Sequence, residues 1–309
     1  MAFARNVVPE RGLPTTKTIR SSSGPSAARS ESGRPRATRR AVLSWSAAER
    51  SGSRTPVSCQ VVRATVAHLY PDHLNIYAYR GNIAVLERRA TWRGIGFDYS
   101  AIGIGDEVPA DADLLYIGGG QDRDQALVAA DLAAKASALI EAVQAGAALL
   151  AVCGGYQLLG RFYRERSGSE LAGVGLFPLV TIAGERRMIG DILLDCELDP
   201  GMRRTLAGFE NHAGRTYLDE GGEPLGSVVA GFGNNGEDGY EGCRVGRAVG
   251  TYLHGPLLPR NPWLADWLLA QALARVSGDA PELPPLEDDL EARAHTVSAG
   301  RAKARGGKL

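Results

Sequence analysis

The run Ala147-Ala148-Leu149-Leu150-Ala151-Val152 is apolar throughout, and it stops at Cys153-Gly154-Gly155 before a helical pattern begins at Tyr156. An unbroken apolar strand has to be covered on both faces, which points to a parallel sheet packed between helices. The chain before it alternates in the same sense. Val61 to Tyr70 reads as a first strand. Asn82 to Arg93 carries Ile83, Leu86 and Ala90 at helical spacing, with Gly94 as a stop. Ile95 to Ile102 and Asp113 to Ile117 read as further strands, the latter ending in Gly118-Gly119-Gly120. Asp122 or Asp124 is placed to cap a long helix reaching Ala145, with Val128, Leu132, Leu139 and Val143 as its apolar stripe. The fold class expected is therefore α/β: a mostly parallel open sheet flanked by helices.

The rest of the chain is less regular. From about Gly173 to Thr251 the sequence is Gly-rich with short apolar runs and reads as strands and turns. Asn261-Pro262 resembles a cap with a first-turn proline, opening a helix from Trp263 to Arg275 that Ser277-Gly278 closes. Residues 277–309 are rich in Pro and charge and are expected to form a flexible tail. Residues 1–60, rich in Arg and Ser, are expected to be a disordered arm; a transit peptide or a start assigned too far upstream gives the same composition. The working domain is then 61–276.

Charge and cysteine usage exclude several roles. The 309 residues hold 35 Lys/Arg and 35 Asp/Glu, but residues 1–56 take eleven of the bases and three of the acids. That leaves 24 bases and 32 acids for 57–309, a balance near −8 with no basic stripe, so nucleic-acid binding is not expected. Cys59, Cys153, Cys196 and Cys243 form no CxxC pair, so no metal site is expected, and scattered thiols suit a reducing cytoplasm. No apolar run is long enough to span a membrane.

The strand–turn–helix at Cys153 is the arrangement on which α/β enzymes expose a nucleophile. A cysteine at a helix N-terminus gains thiolate character, and the Gly154 N–H would face the oxygen of a tetrahedral intermediate. The competing reading is a small buried core cysteine. Three other segments bear on this. Gly119, in the glycine run after the Asp113–Ile117 strand, can supply a second oxyanion N–H, although a tight turn accounts for the run equally well. His254, in Tyr252-Leu253-His254-Gly255-Pro256, is the choice of base among five histidines; His68 and His73 also lie near a strand end, and any one of them alone is more often a satisfied histidine. The Arg186-Arg187 pair lies beside Met188-Ile189, where a guanidinium can grip an amino-acid carboxylate or simply be solvated.

Taken together, Cys153-Gly154-Gly155-Tyr156-Gln157-Leu158-Leu159-Gly160 and Tyr252-Leu253-His254-Gly255 resemble the cobyric-acid-synthase-like class I glutamine amidotransferases. Further runs narrow the resemblance to the GatD family, the glutaminase subunits of lipid II isoglutaminyl synthase. They are His73-Leu74-Asn75-Ile76-Tyr77, Gly81-Asn82-Ile83, Gly118-Gly119-Gly120-Gln121-Asp122-Arg123-Asp124-Gln125, Arg187-Met188-Ile189-Gly190-Asp191-Ile192 and Gly255-Pro256-Leu257-Leu258-Pro259. The resemblance covers roughly 63–272. It implies a flavodoxin-like architecture, Cys153 as nucleophile, His254 as base and Arg187 as the glutamine-binding arginine. It also implies a heterodimer with a MurT-like Mur-ligase subunit that would hold the ATP and magnesium, this chain carrying no cofactor. Ammonia from L-glutamine would there convert the D-glutamate α-carboxyl of lipid II to its amide. Many class I relatives place an acid two residues after the histidine. Here that residue is Pro256, and Glu210 is one candidate to orient His254 instead.

The chain has no GxxxxGK[ST] phosphate loop, so a separate synthetase has to activate the acceptor. Two other functions fit parts of the pattern. A thiol peptidase on a similar sheet would need no partner and would release no glutamate from glutamine. A binding subunit that kept only the fold would be expected to lose Cys153 or His254.

Overall fold

The computed structural model describes residues 62–75 and 80–305, so the expected amino-terminal arm lies outside the described residues. The first half alternates as the sequence implies: β1 (Arg63–Leu69), α1 (Arg80–Trp92), β2 (Gly96–Ile102), β3 (Leu114–Ile117), α2 (Asp122–Ala134), α3 (Ala136–Gln144), β4 (Ala148–Val152) and α4 (Gly154–Leu158). A β-rich stretch follows, with β5 (Phe162–Arg164), β6 (Glu170–Ala172), β7 (Leu179–Glu197), β8 (Arg203–Leu218), β9 (Gly226–Ala230) and β10 (Tyr240–Glu241). The chain then returns through β11 (Cys243–Val245) and β12 (Ala248–Thr251) and ends in α5 (Pro262–Ser277) and α6 (Asp289–Arg305).

The first sheet has the order β11-β12-β4-β3-β1-β2, parallel everywhere except the β11–β12 pair. Successive residues of its central strands enter different cores. Val66, Leu114, Leu150 and Val152 pack with Leu86 of α1 and Leu264 and Leu268 of α5. Ala67, Leu115, Leu149 and Ala151 pack with Val128 and Leu132 of α2 and Leu139 of α3. Helices therefore cover both faces, and β4 is buried at every position because each of its side chains meets one layer or the other.

The β-rich stretch forms a second sheet, β10-β9-β7-β5-β6, with β8 paired to β7. β7 and β8 form a long antiparallel arm from Leu179↔Leu218 to Glu197↔Arg203, and its register slips between Ala183 and Met188. Such a bulge re-aims the side chains it releases from the ladder; here they include Arg187.

Three local expectations change. The helix expected to run to Ala145 breaks at Lys135, whose N–H bonds back to Asp131 and Leu132 and whose ammonium pairs with Asp131. Neither Asp122 nor Asp124 caps it: Gln121 occupies the N-cap position without a side-chain bond. Asn261 does sit at the N-cap of α5, but its side chain is spent on Ala207 and on the Leu257 carbonyl. The largest correction concerns 277–309, which is not a flexible tail over its described part. The buried Arg89 of α1 binds Asp266 of α5 at 2.6 and 2.7 Å and Asp288 at 2.6 and 2.9 Å, tying the entrance of α6 to the body. His295 then reaches Thr205 at 2.8 Å and the Arg260 carbonyl at 3.0 Å, while Ala302 is buried against Leu193 and Ala207.

Candidate active site

Cys153 follows β4 and occupies the N-cap of α4 with φ 53° and ψ −111°. A non-glycine residue with positive φ is strained, by about 1–3 kcal/mol, and persists only where neighbours hold it. Three bonds do so. The Cys153 N–H donates to the Thr251 carbonyl at 2.9 Å, its carbonyl accepts the Gln157 N–H at 3.0 Å, and the Gly155 N–H donates to the Gly118 carbonyl at 3.0 Å. The last contact explains one glycine: a Cβ on Gly155 would stand 2.5 Å from that carbonyl oxygen.

The elbow opens on a cavity of about 670 Å³ whose wall includes Gly119, Gln125, Cys153, Gln157, Tyr163, Arg187, Asn211 and His212. The structure thus brings two of the three expected site residues, Cys153 and Arg187, to one cavity, together with Gly119. Arg187 arrives from the bulge of β7 and is held by Asn211 of β8. Its Nε donates to Asn211 Oδ1 and its Nη2 to the Asn211 carbonyl, both at 2.8 Å. Asn211 thus fixes the guanidinium through Nε and Nη2, and neither bond uses Nη1.

His254 is not among the residues lining that cavity. It is buried, just beyond the end of β12, the strand beside β4, and its N–H donates to the Phe209 carbonyl at 2.7 Å. Burial, then the electrostatic influence of His212 and of the Arg187 guanidinium, push its imidazole down to about 3, against a hydrogen bond with the Asn211 backbone that favours the charged form. The imidazole is therefore neutral at ordinary pH. The other histidines fill different roles. His68 is buried with Nδ1 3.2 Å from the Tyr99 hydroxyl, and neither it nor His73 lines the cavity.

Glu210 does not take the role considered for it. It accepts the N–H groups of Phe232 at 2.7 Å and Gly233 at 3.0 Å, and its nearest histidine is His212, with Nε2 at 3.9 Å. A two-oxygen acceptor committed to a backbone turn holds that turn first. His212, overlooked in the sequence, stacks on Tyr252 with ring centroids 3.6 Å apart and an interplanar angle of 2°. The Tyr252 hydroxyl in turn meets Gln157 at 3.0 Å and Thr216 at 2.7 Å. Of this buried network, Gln157 and His212 line the cavity. Among the described residues, no group of three or more His, Cys, Asp or Glu side chains could hold a metal ion, and no helix is long and apolar enough to cross a membrane.

A cysteine on a strained strand–helix turn thus stands beside a cavity that an oriented arginine also lines. The chain matches the CobB/CobQ-like glutamine amidotransferase domain over residues 65–262 and belongs to that family. It is a glutamine-hydrolysing amidotransferase. More particularly, it is 40% identical over 239 residues to the lipid II isoglutaminyl synthase (glutamine-hydrolyzing) subunit GatD of Staphylococcus aureus (strain N315), covering 77% of this chain and 96% of that protein. The subunit of the same name from Streptococcus pneumoniae (strain ATCC BAA-255 / R6) is 39% identical over 227 residues, 73% of this chain and 86% of that one. A probable cobyric acid synthase of Methanopyrus kandleri is 35% identical over 167 residues, but these make up only 33% of its length. The likeness to cobyric acid synthases is thus to one part of a longer protein, whereas the GatD likeness extends over nearly the whole relative.

Proposed function

We propose that this chain is the glutaminase subunit of a lipid II isoglutaminyl synthase, working in the cytoplasm through Cys153 and His254. The observation that carries the mechanism is the pairing of β12 with β4. Thr251 lies opposite Val152, so the turn bearing His254 leaves the sheet beside the elbow bearing Cys153.

In this reading the substrate α-carboxylate rests on the free edge of Arg187 and the side-chain amide reaches Cys153. The thiol proton passes to the neutral His254, and the sulfur attacks the amide carbon. The amide oxygen takes the negative charge against the N–H groups of Gly154 and Gly119. The imidazolium, disfavoured by burial, gives its proton to the departing nitrogen, and ammonia leaves a thioester that water hydrolyses to glutamate. The chain itself needs no cofactor for these steps. A MurT-like partner of the Mur-ligase kind would hold ATP and magnesium and activate the D-glutamate α-carboxyl of lipid II, and ammonia would complete the amide. We assign the amidotransferase domain to 61–276.

The test is glutamate release by the full chain and by Cys153→Ala and His254→Ala, followed by reconstitution with the synthetase subunit, ATP and lipid II. Loss of glutamate release in both variants, and glutamine-dependent amidation only with the active chain, is the expected result. An active Cys153→Ala protein would overturn the mechanism, and failure of the active pair to amidate lipid II would overturn the assignment.

A further inference from the structure

Beneath the turn that carries His254 lies a carboxyl group that the proposed hydrolysis does not use. Glu241 ends β10 and is fully enclosed. Its two oxygens lie 3.1 and 3.0 Å from the Thr251 hydroxyl, and Oε1 accepts the Tyr252 N–H at 2.6 Å. Thr251 extends this anchorage in two directions. Its carbonyl accepts the Cys153 N–H at 2.9 Å, and its hydroxyl accepts the N–H of Leu253, the residue before His254, at 3.1 Å.

Glu241 is itself held in place. Asn234 grips the next residue from both sides, accepting the Gly242 N–H at 2.9 Å and donating to the Gly242 carbonyl at 3.0 Å. The Tyr156 hydroxyl, from the helix that follows Cys153, closes the group by donating to Asn234 Oδ1 at 3.2 Å. Burying a carboxyl without a cationic partner is costly, and an apolar side chain fills such a space at less cost. A fixed geometry is what this arrangement gains in return.

We infer that Glu241 is a positioning residue for glutamine hydrolysis: through Thr251 it sets the backbone from which Cys153 and His254 meet. The inference rests on the Cys153–His254 reading above. The residue two places after His254 is Pro256, so the histidine's own turn supplies no acid for the task. Burial pushes the Glu241 carboxyl up to about 8, so near neutral pH it keeps its proton. The carboxyl O–H then donates to Thr251 Oγ1, while the Thr251 hydroxyl and the Tyr252 N–H donate to the other oxygen. A glutamine side chain can reproduce this set, and a leucine cannot.

The experiment compares full-length Glu241→Leu, Glu241→Gln, Thr251→Val and the Glu241→Leu/Thr251→Val double variant with the unaltered chain, by kcat and KM for glutamate release. Misplacing reacting groups by about 1 Å costs on the order of 100-fold in rate. Glu241→Leu and Thr251→Val should therefore lose about 10- to 100-fold in kcat, with KM within about threefold, because the arginine grip lies on another sheet. Glu241→Gln should stay within about threefold of the unaltered kcat. The double variant should lose no more than the worse single variant, since both cut one chain of bonds. If Glu241→Leu does not fold, Thr251→Val, which keeps the volume, and Glu241→Gln carry the comparison. Unchanged kcat in Thr251→Val, a loss confined to KM, or additive losses would each overturn the inference. Cys153→Ala and His254→Ala, run alongside, keep it distinct from the reading beneath it. If they are dead and Thr251→Val is fully active, only the role of Glu241 falls.

Discussion

Adding one methyl group at Gly119 should disable the enzyme while leaving it folded. A Cβ built there stands 2.7 Å from Cys153 Cβ, 3.0 Å from the Gly154 nitrogen and 3.1 Å from the Val152 carbonyl oxygen. Carbon atoms in contact prefer about 3.5–4.0 Å, so the loop and the elbow have to part by roughly 1 Å. Neither yields cheaply, because Cys153 is already strained and the Gly118 carbonyl is tied to the Gly155 N–H. A shift of about 1 Å between reacting groups costs on the order of 100-fold, and losing an oxyanion donor costs about 10²–10³ in kcat. Gly119→Ala should thus lower kcat about 100-fold or more with little change in KM, at about 1–3 kcal/mol of stability from overpacking. Glutamate release against glutamine concentration, with a thermal melt on the same sample, reads both numbers. Gly300→Ala in α6 is the control: nothing lies within 4 Å of its Cβ, and it should retain activity while gaining up to about 1 kcal/mol of helix stability. Unaltered kcat in Gly119→Ala would refute the placement of the glycine loop at the reacting carbon.

On the proposed mechanism Arg187→Gln removes a charged hydrogen bond to the substrate carboxylate, worth about 1.5–3 kcal/mol, and should raise KM by about 10- to 100-fold with a smaller change in kcat. His254 is held down to about 3 in the folded chain against an ordinary 6.5. The unfolded chain therefore binds a proton that the folded chain refuses, and stability should fall as pH drops from about 6.5 toward 3. Melting of His254→Gln over the same range should show a shallower slope. Arg89→Met strips Asp288 of its cation and leaves Asp266 with Arg93 alone; both acids are partly exposed, so the lower end of the buried-pair range applies, about 3 kcal/mol, with α6 becoming protease-sensitive before the body melts. Cys153→Gly relieves the positive φ and should melt above Cys153→Ala, a difference of about 1 kcal/mol readable by denaturant titration.

The legible parts of the fold were those where a single strand pattern decides the outcome. β4 is apolar at every position because it meets helices on both faces, and its sequence alone placed both the strand and the elbow after it. The break at Lys135 was invisible because lysine is a good helix former and the apolar stripe continues past it. Its cause is tertiary: Asp131, which pairs with Lys135, also accepts the Tyr70 hydroxyl and the Gly105 N–H. α6 was hidden for a different reason. It packs through Ala299, Ala302 and His295 while Leu290 and Val297 stay exposed, so its hydrophobic period says nothing about which face is buried. In the site, Arg187 was found from its neighbours in sequence, but Asn211, which aims it, comes from a strand whose partner the sequence does not name. Glu210 was weighed because Pro256 stands where many relatives place an acid, yet it serves the turn at Phe232 and Gly233. Glu241 went unnoticed in a Gly- and Asn-rich stretch that forms only a two-residue strand.

The division of the site between two sheets has a consequence for how it can be controlled. Cys153, Gly119, Gly154 and the turn of His254 all leave the carboxyl edge of one parallel sheet, where β3, β4 and β12 are locked in register. Arg187 and Asn211 come from the β7–β8 arm of the other sheet, at a bulge where the ladder is interrupted and the arginine is exposed. A rigid sheet suits groups that must be held to a fraction of an ångström, whereas an exposed bulge can move at little cost. On the proposed mechanism, any contact a second subunit makes on the β7–β8 arm would therefore change how glutamine is gripped before it changed the chemistry, and would register in KM ahead of kcat. A contact at the glycine loop after β3 would do the reverse, because Gly119 has no spare distance to Cys153.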